Sequence, residues 1–250
     1  MHHLAAFTAS LTNGTVDNNL TLANDQMLVS NAGGQAIVPY DCQILAAYAL
    51  GANLTRSKIV APSLRQITYP YITPNNQSAT IPTLPGVTIY DQGYRPKLVK
   101  NEAVTIANSL AGAAPEQEWG FLWLCPRWED APPGVVSTVR FTGAVTGAAN
   151  AWDSGALTAT ETLPFGRYAV VGMRAVGANL LAARLIPTDG GIRPGVLATP
   201  TLALDDGSHW RVGRFGKFIE FEQTSPPNCE FFKTAAGTTQ EVYLDVVKVA

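Results

Sequence analysis

Acid–base or nucleophilic chemistry needs a titratable group held beside a partner, and this sequence offers few. Its three histidines are His2, His3 and His209. The first two read as part of a loose terminus. That leaves His209, in the loop-like stretch "LDDGSHW", as the base for any serine nucleophile. No Gly-x-Ser-x-Gly elbow occurs. Cys42, Cys125 and Cys229 show no paired metal-ligand spacing, so they read as free buried thiols, with a Cys42–Cys125 bridge as the alternative. Carboxylates pair at Glu116/Glu118, Asp205/Asp206 and Glu220/Glu222. These are the residue types of a glycosidase, but no spacing singles out one pair, and Asp205-Asp206-Gly207 is first a turn signal. The expectation is no catalytic residue, no metal and no cofactor.

Aromatic residues are the other candidates. Trp119, Phe121 and Trp123 alternate along one run and share a face, which is the pattern of core packing. Tyr69, Tyr71, Tyr94, Trp128 and Trp210 fall in loop or linker segments, where aromatic side chains build contact surfaces.

The elements that must position these residues read as strands. Helical periodicity is scarce, and 22 glycines and 17 prolines cut the chain into short pieces. Strand-length apolar or alternating runs occur at 42–50, 102–108, 119–125, 137–143, 167–173, 217–223 and 241–249. Many short strands between turn signals point to an all-β sandwich or barrel. Long proline-rich connections run from Pro62 to Pro96 and from Pro187 to His209, and loops of that length usually build a binding or assembly surface.

Half a chain apart, the same motif recurs. "VPYDCQILAAYALGANLTRSKIV" begins at Val38 and "LPFGRYAVVGMRAVGANLLAARLI" at Leu163. Pro39 answers Pro164, and Gly51, Asn53 and Leu54 answer Gly177, Asn179 and Leu180. Lys58 answers Arg184, and nearer the ends of the halves Glu118 answers Glu241. Anchors in constant order mark two copies of one unit. The expected organisation is an N-terminal arm and first strand region at 1–35, a first barrel at 36–125, a stiff linker at 126–135 and a second barrel at 136–250. In each copy an apolar strand runs into a glycine. Asn53 and Asn179 then suit the N-cap of a short helix, "LTRSKI" or "LLAARL", ended by proline. A second strand after a Gly-Ala-Asn turn is the rival reading.

Charge limits the partners. Only 14% of residues are charged and the net charge is −2. Residues 1–125 carry 6 basic and 7 acidic side chains, and residues 126–250 carry 11 and 12, with no basic run in either half. That speaks against a positive arm on a nucleic-acid backbone and against sequence-specific nucleic-acid binding. No apolar run is long enough for a transmembrane segment, and no signal peptide is visible.

The tandem β-units, the long proline-rich loops, the low charge and the phrase "ALGANLTRSKIVAPSLRQI" (Ala49–Ile67) together resemble the double jelly-roll major capsid proteins of tailless icosahedral viruses, the tectivirus and adenovirus type, in a bacteriophage. The resemblance covers residues 36–250. It implies two tandem eight-stranded jelly-roll barrels with short helices in loops. It also implies a homotrimer forming a pseudo-hexameric capsomer, with neighbouring capsomers and penton or minor capsid proteins as partners, in a virion assembled from subunits made in the host cytoplasm. Two other classes compete: a trimeric carbohydrate-binding or spike protein, and a double jelly-roll hydrolase of amidase type.

Overall fold

The computed structural model describes residues 1–12, 14–65, 69–76, 87–112, 116–145, 147–199, 214–236 and 239–250. These fall into two compact units. One is Leu4–Pro126, and the other is Arg127–Ala250 together with Met1–His3. The boundary thus follows the last strand of the first unit, and the first strand of the chain opens it. The expected first strand region is present within the first unit: His3–Leu11 is a nine-residue strand whose Leu4, Ala5, Ala6 and Phe7 are fully buried.

The first unit contains β1 (His3–Leu11), β2 (Asn18–Asn19), β3 (Thr21–Leu22), β4 (Val29–Ser30), β5 (Ala36–Ile37), β6 (Cys42–Gly51) and β7 (Leu54–Val60). It continues with β8 (Tyr71–Ile72), β9 (Pro74–Asn76), β10 (Thr88–Ile89), β11 (Lys97–Leu98), β12 (Ala103–Leu110) and β13 (Glu116–Cys125). The second unit contains β14 (Val136–Ala144), β15 (Trp152–Ala156), β16 (Thr158–Ala159), β17 (Arg167–Val176) and β18 (Leu180–Ile186). It closes with β19 (Gly195–Thr199), β20 (Glu220–Glu222), β21 (Asn228–Lys233) and β22 (Thr239–Lys248). Among the described residues the helices are two three-residue 3₁₀ turns, Pro62–Leu64 and Gln92–Tyr94.

Pairing gives both units one topology. In the first, β1, β13 and β6 lie side by side with β9, β10 and β11 on the far side of β6, and the facing sheet runs β5-β12-β7-β8. In the second, β14, β22, β17 and β20 correspond strand for strand, and β15-β21-β18-β19 repeats the facing sheet. With the eight main strands of each unit numbered along the chain, the two sheets are 1-8-3-6 and 2-7-4-5, the order of a jelly roll. A finer feature also recurs. β9 pairs in parallel with the end of β6, and β19 pairs in parallel with the end of β17. The fold is all-β, two jelly rolls in tandem.

Pleat and burial agree with the residue pattern. Along β14, Val139 and Phe141 point inward, while Thr138 and Arg140 are exposed. The first barrel is filled by Phe7, Leu20, Ile44, Ile59, Ile106 and Leu124. In the second, Trp152 meets Phe232 edge-on at 5.3 Å between ring centroids.

The repeated Gly-Ala-Asn-Leu motif is a strand–turn–strand in both barrels, not a helix N-cap. Leu54 opens β7 and Leu180 opens β18. Asn53 and Asn179 have φ of 57° and 60°, and Ala52 and Ala178 do not share that sign. A positive φ at the second central position is the geometry of a type II turn, which asparagine tolerates better than other non-glycine residues. In the second barrel the turn closes from Leu180 N–H to the Gly177 carbonyl at 3.2 Å. The Asn53 carbonyl accepts from Ala111 N–H at 3.0 Å, and that of Asn179 accepts from Thr234 N–H at 2.8 Å. In each barrel this ties the turn to the exit of the seventh strand. The helix expectation failed because "LLAARL" has good helical propensity, and pairing with β21 and β19 overrode it. Asn179→Ala should cost about 1 kcal/mol through the left-handed backbone, and Asn179→Gly close to nothing. Urea denaturation of the two variants checks this.

Candidate functional site

Three places gather polar or aromatic groups. The first is an open groove of about 560 Å³ in the first unit, lined by Ser63, Leu64, Tyr69, Pro70, Tyr71, Arg95, Pro96 and Lys97. It forms where the 3₁₀ turn after β7 faces the segment entering β11. Proline at the first helical position and the short β8 hold its walls. It unites two of the expected contact residues, Tyr69 and Tyr71. Tyr71 is 49% exposed, and the Lys58 ammonium lies 5.7 Å from the Tyr69 ring centroid. Lys58 itself pairs with Asp17 at 2.7 Å. Tyr94 is 84% exposed, next in sequence to Arg95 of the groove. Trp128 belongs to the second unit, where its Nε1 donates to Asp130 at 2.7 Å. Trp210, His209 and the Asp205/Asp206 pair lie outside the described residues.

The second place was not expected. Arg184 lies directly opposite Glu230 on paired strands β18 and β21, and its Nε donates to that carboxylate at 2.6 Å. Arg193 donates to the other oxygen of Glu230. The Arg184 guanidinium also stacks on Trp152 at 4.0 Å. All three charged side chains are at most 5% exposed. His3 completes the cluster, taking Arg193 N–H on Nδ1 at 3.2 Å, with Arg184 near its Nε2 at 3.4 Å. Both contacts ask the ring to accept, and a neutral imidazole has one acceptor.

His2 sits beside this cluster, fully buried, its Nε2 3.3 Å from both the N and the O of Gly195. It meets Phe218 edge-on at 4.8 Å. Burial pushes its imidazole down to about 3. The terminal histidines are thus anchored in the second barrel, not loose. The readable signal was Arg184 within the otherwise apolar "LLAARLI" and Glu230 within "NCEFFK". A charge in an apolar strand requires a partner.

The third place is the repeated turn. Gly51 and Gly177 face a strand-eight side chain. A β-carbon on Gly51 would fall 1.8 Å from a Glu118 carboxylate oxygen, and one on Gly177 would fall 1.5 Å from the Gln240 amide oxygen. Register agrees, since Trp119 pairs with Leu50 and Glu241 with Val176. Glu118 therefore corresponds to Gln240, and the expected match to Glu241 is one residue out of step. Of the other anchors, Pro39 precedes β6 and Pro164 precedes β17, and Pro164 accepts a hydrogen bond from the Tyr168 hydroxyl at 2.7 Å.

None of Cys42, Cys125 and Cys229 forms a disulfide, and all three are buried. Burial pushes the Cys42 thiol up to about 12 and Cys229 well above the usual range, so neither is a nucleophile near neutral pH. Among the described residues no three His, Cys, Asp or Glu side chains are placed to hold a metal ion. No helix among them is long and apolar enough to cross a membrane. Glu220 is held by Arg167 at 2.6 Å and Lys217 at 2.8 Å.

The described geometry defines a class, tandem jelly-roll proteins. No family model matches the chain, and no curated protein does. Among solved structures it is similar to the major capsid protein P2 from bacteriophage PM2. That match spans 100% of this chain and 98% of the other, at 10% identity and a TM-score of 0.27.

Proposed function

We propose that this protein is a structural subunit of a virion, a major capsid protein whose trimers tile an icosahedral shell. The observation that carries the reading is the strand-for-strand repetition of one jelly roll within a single chain, down to the parallel corner strand and the positive-φ asparagine. Two like barrels per chain give a three-fold ring six like walls, which is how a trimer can occupy a six-sided place in a shell. Barrel closure hides strand edges and leaves loops and exposed side chains for contacts. The Tyr69/Tyr71 groove, Tyr94 and Phe165, which is 80% exposed, are the surfaces offered for neighbouring subunits. A subunit of this kind works by assembly rather than by catalysis, needs no cofactor and resides in the virion of a bacteriophage.

The test is the assembly state of the purified protein, by mass photometry and negative-stain electron microscopy across concentration and salt. Trimers that associate into sheets or shells are expected. Monomers under all conditions would overturn the reading. An isolated trimer that never associates but binds glycans would favour the carbohydrate-binding alternative.

A further inference from the structure

The two barrels differ at one matched buried position. In the first, Glu118 on β13 reaches over Gly51 with no exposed surface. Its Oε2 takes the Asn108 amide at a long 3.4 Å, and Asn108 in turn accepts from Ser57 Oγ at 2.8 Å. Its Oε1 has no hydrogen-bond partner among the described residues. In the second barrel the same place above Gly177 holds Gln240, equally buried. The Gln240 amide N and O also lack partners among the described residues. The amide carries no charge, however, and the cost of burying an unpaired carboxylate far exceeds that of an unpaired neutral amide or carboxyl.

The charges around Glu118 do not relieve it. On its own strand Glu116 adds like charge, although Asn53 Nδ2 donates to it at 2.7 Å. From β6 the facing residue is a glycine, and from β12 and β7 come the neutral Asn108 and Ser57. From β1, Thr8 reaches the Glu118 backbone carbonyl at 3.1 Å. The cations of β7, Arg56 and Lys58, are both committed to Asp17, at 2.9 and 2.7 Å.

We propose that Glu118 is a proton-dependent latch of the first barrel. Neutral, it holds the Gly51–Leu54 turn against β12 and β13. Ionised, it releases that corner, while Gln240 leaves the second barrel indifferent to the same change. Burial, reinforced by Glu116, pushes the Glu118 carboxyl up to about 8. A folded-state value raised above the unfolded one means that the neutral form belongs to the folded state. Protection is then complete in acid, erodes as pH rises above about 4.3 and reaches its floor above about 8.

Hydrogen exchange of the full chain at about pH 6 and about pH 9, corrected for the intrinsic rate, tests this. In the wild type, protection at residues 50–54 and 108–111 should fall more than about tenfold between the two, with little change at residues 176–180. Glu118→Gln should abolish the fall. The reverse substitution, Gln240→Glu, should install it at residues 176–180. Equal protection at both pH values in the wild type, or a fall that persists in Glu118→Gln, overturns the latch. Should Gln240→Glu not fold, the Glu118→Gln result decides alone.

Discussion

Replacing Glu230 with alanine should destabilise the second barrel by about 3–5 kcal/mol, because it leaves two buried guanidinium groups facing each other without a carboxylate. Arg184 and Arg193 both spend a donor on Glu230, and both lie almost wholly out of water. The cost arises from the stranded charges more than from the lost pair. Replacing all three by apolar residues of similar volume, Arg184→Met, Arg193→Met and Glu230→Leu, should therefore recover most of it. Urea denaturation gives the size of the loss, and amide exchange in β18 and β21 locates it. A loss under about 1 kcal/mol for Glu230→Ala would mean that water reaches the cluster and the triad is a surface ion pair in all but position.

Much of the fold was legible in the sequence. The seven strand runs all coincide with strands of the structure, because alternation and β-branched content report pleat and burial directly. The 217–223 run narrows to Glu220–Glu222, with Phe218 and Ile219 buried just before it. The repeated turn was legible as well, since glycine and asparagine are confined by backbone angle. Its sequel is not legible locally, because propensity in "LLAARL" favours a helix and only tertiary pairing makes it a strand. The polar sites were harder to read. Glu118 and Gln240 occupy one position, yet the chemically similar residue is the next one, Glu241. Arg184 answers Lys58 in sequence, but Lys58 pairs near the surface with Asp17, while Arg184 is buried against Glu230 and Trp152. Proximity to His3, 181 residues away in the chain, has no local signature.

The second barrel should also be acid-sensitive through His2. The residue is fully buried against Phe215 and Phe218, and burial pushes its imidazole down to about 3. The unfolded chain protonates the same ring near pH 6.5. Between those values the unfolded state binds the extra proton. The stability His2 allows is complete above about pH 6.5 and is lost as pH falls toward about 3. Each unit of pH in that window costs up to about 1.4 kcal/mol, so the loss at about pH 4 approaches 3 kcal/mol. His2→Phe keeps an aromatic ring in the pocket and removes the proton. Unfolding free energies of wild type and His2→Phe, followed from about pH 8 to about pH 4, should diverge by that amount as the pH falls. A difference independent of pH would mean that His2 is already hydrated in the folded protein. With Glu118 acting in the opposite sense, one chain would carry an alkaline-sensitive first barrel and an acid-sensitive second. A variant with both Glu118→Gln and His2→Phe should then be flatter in pH than either substitution alone.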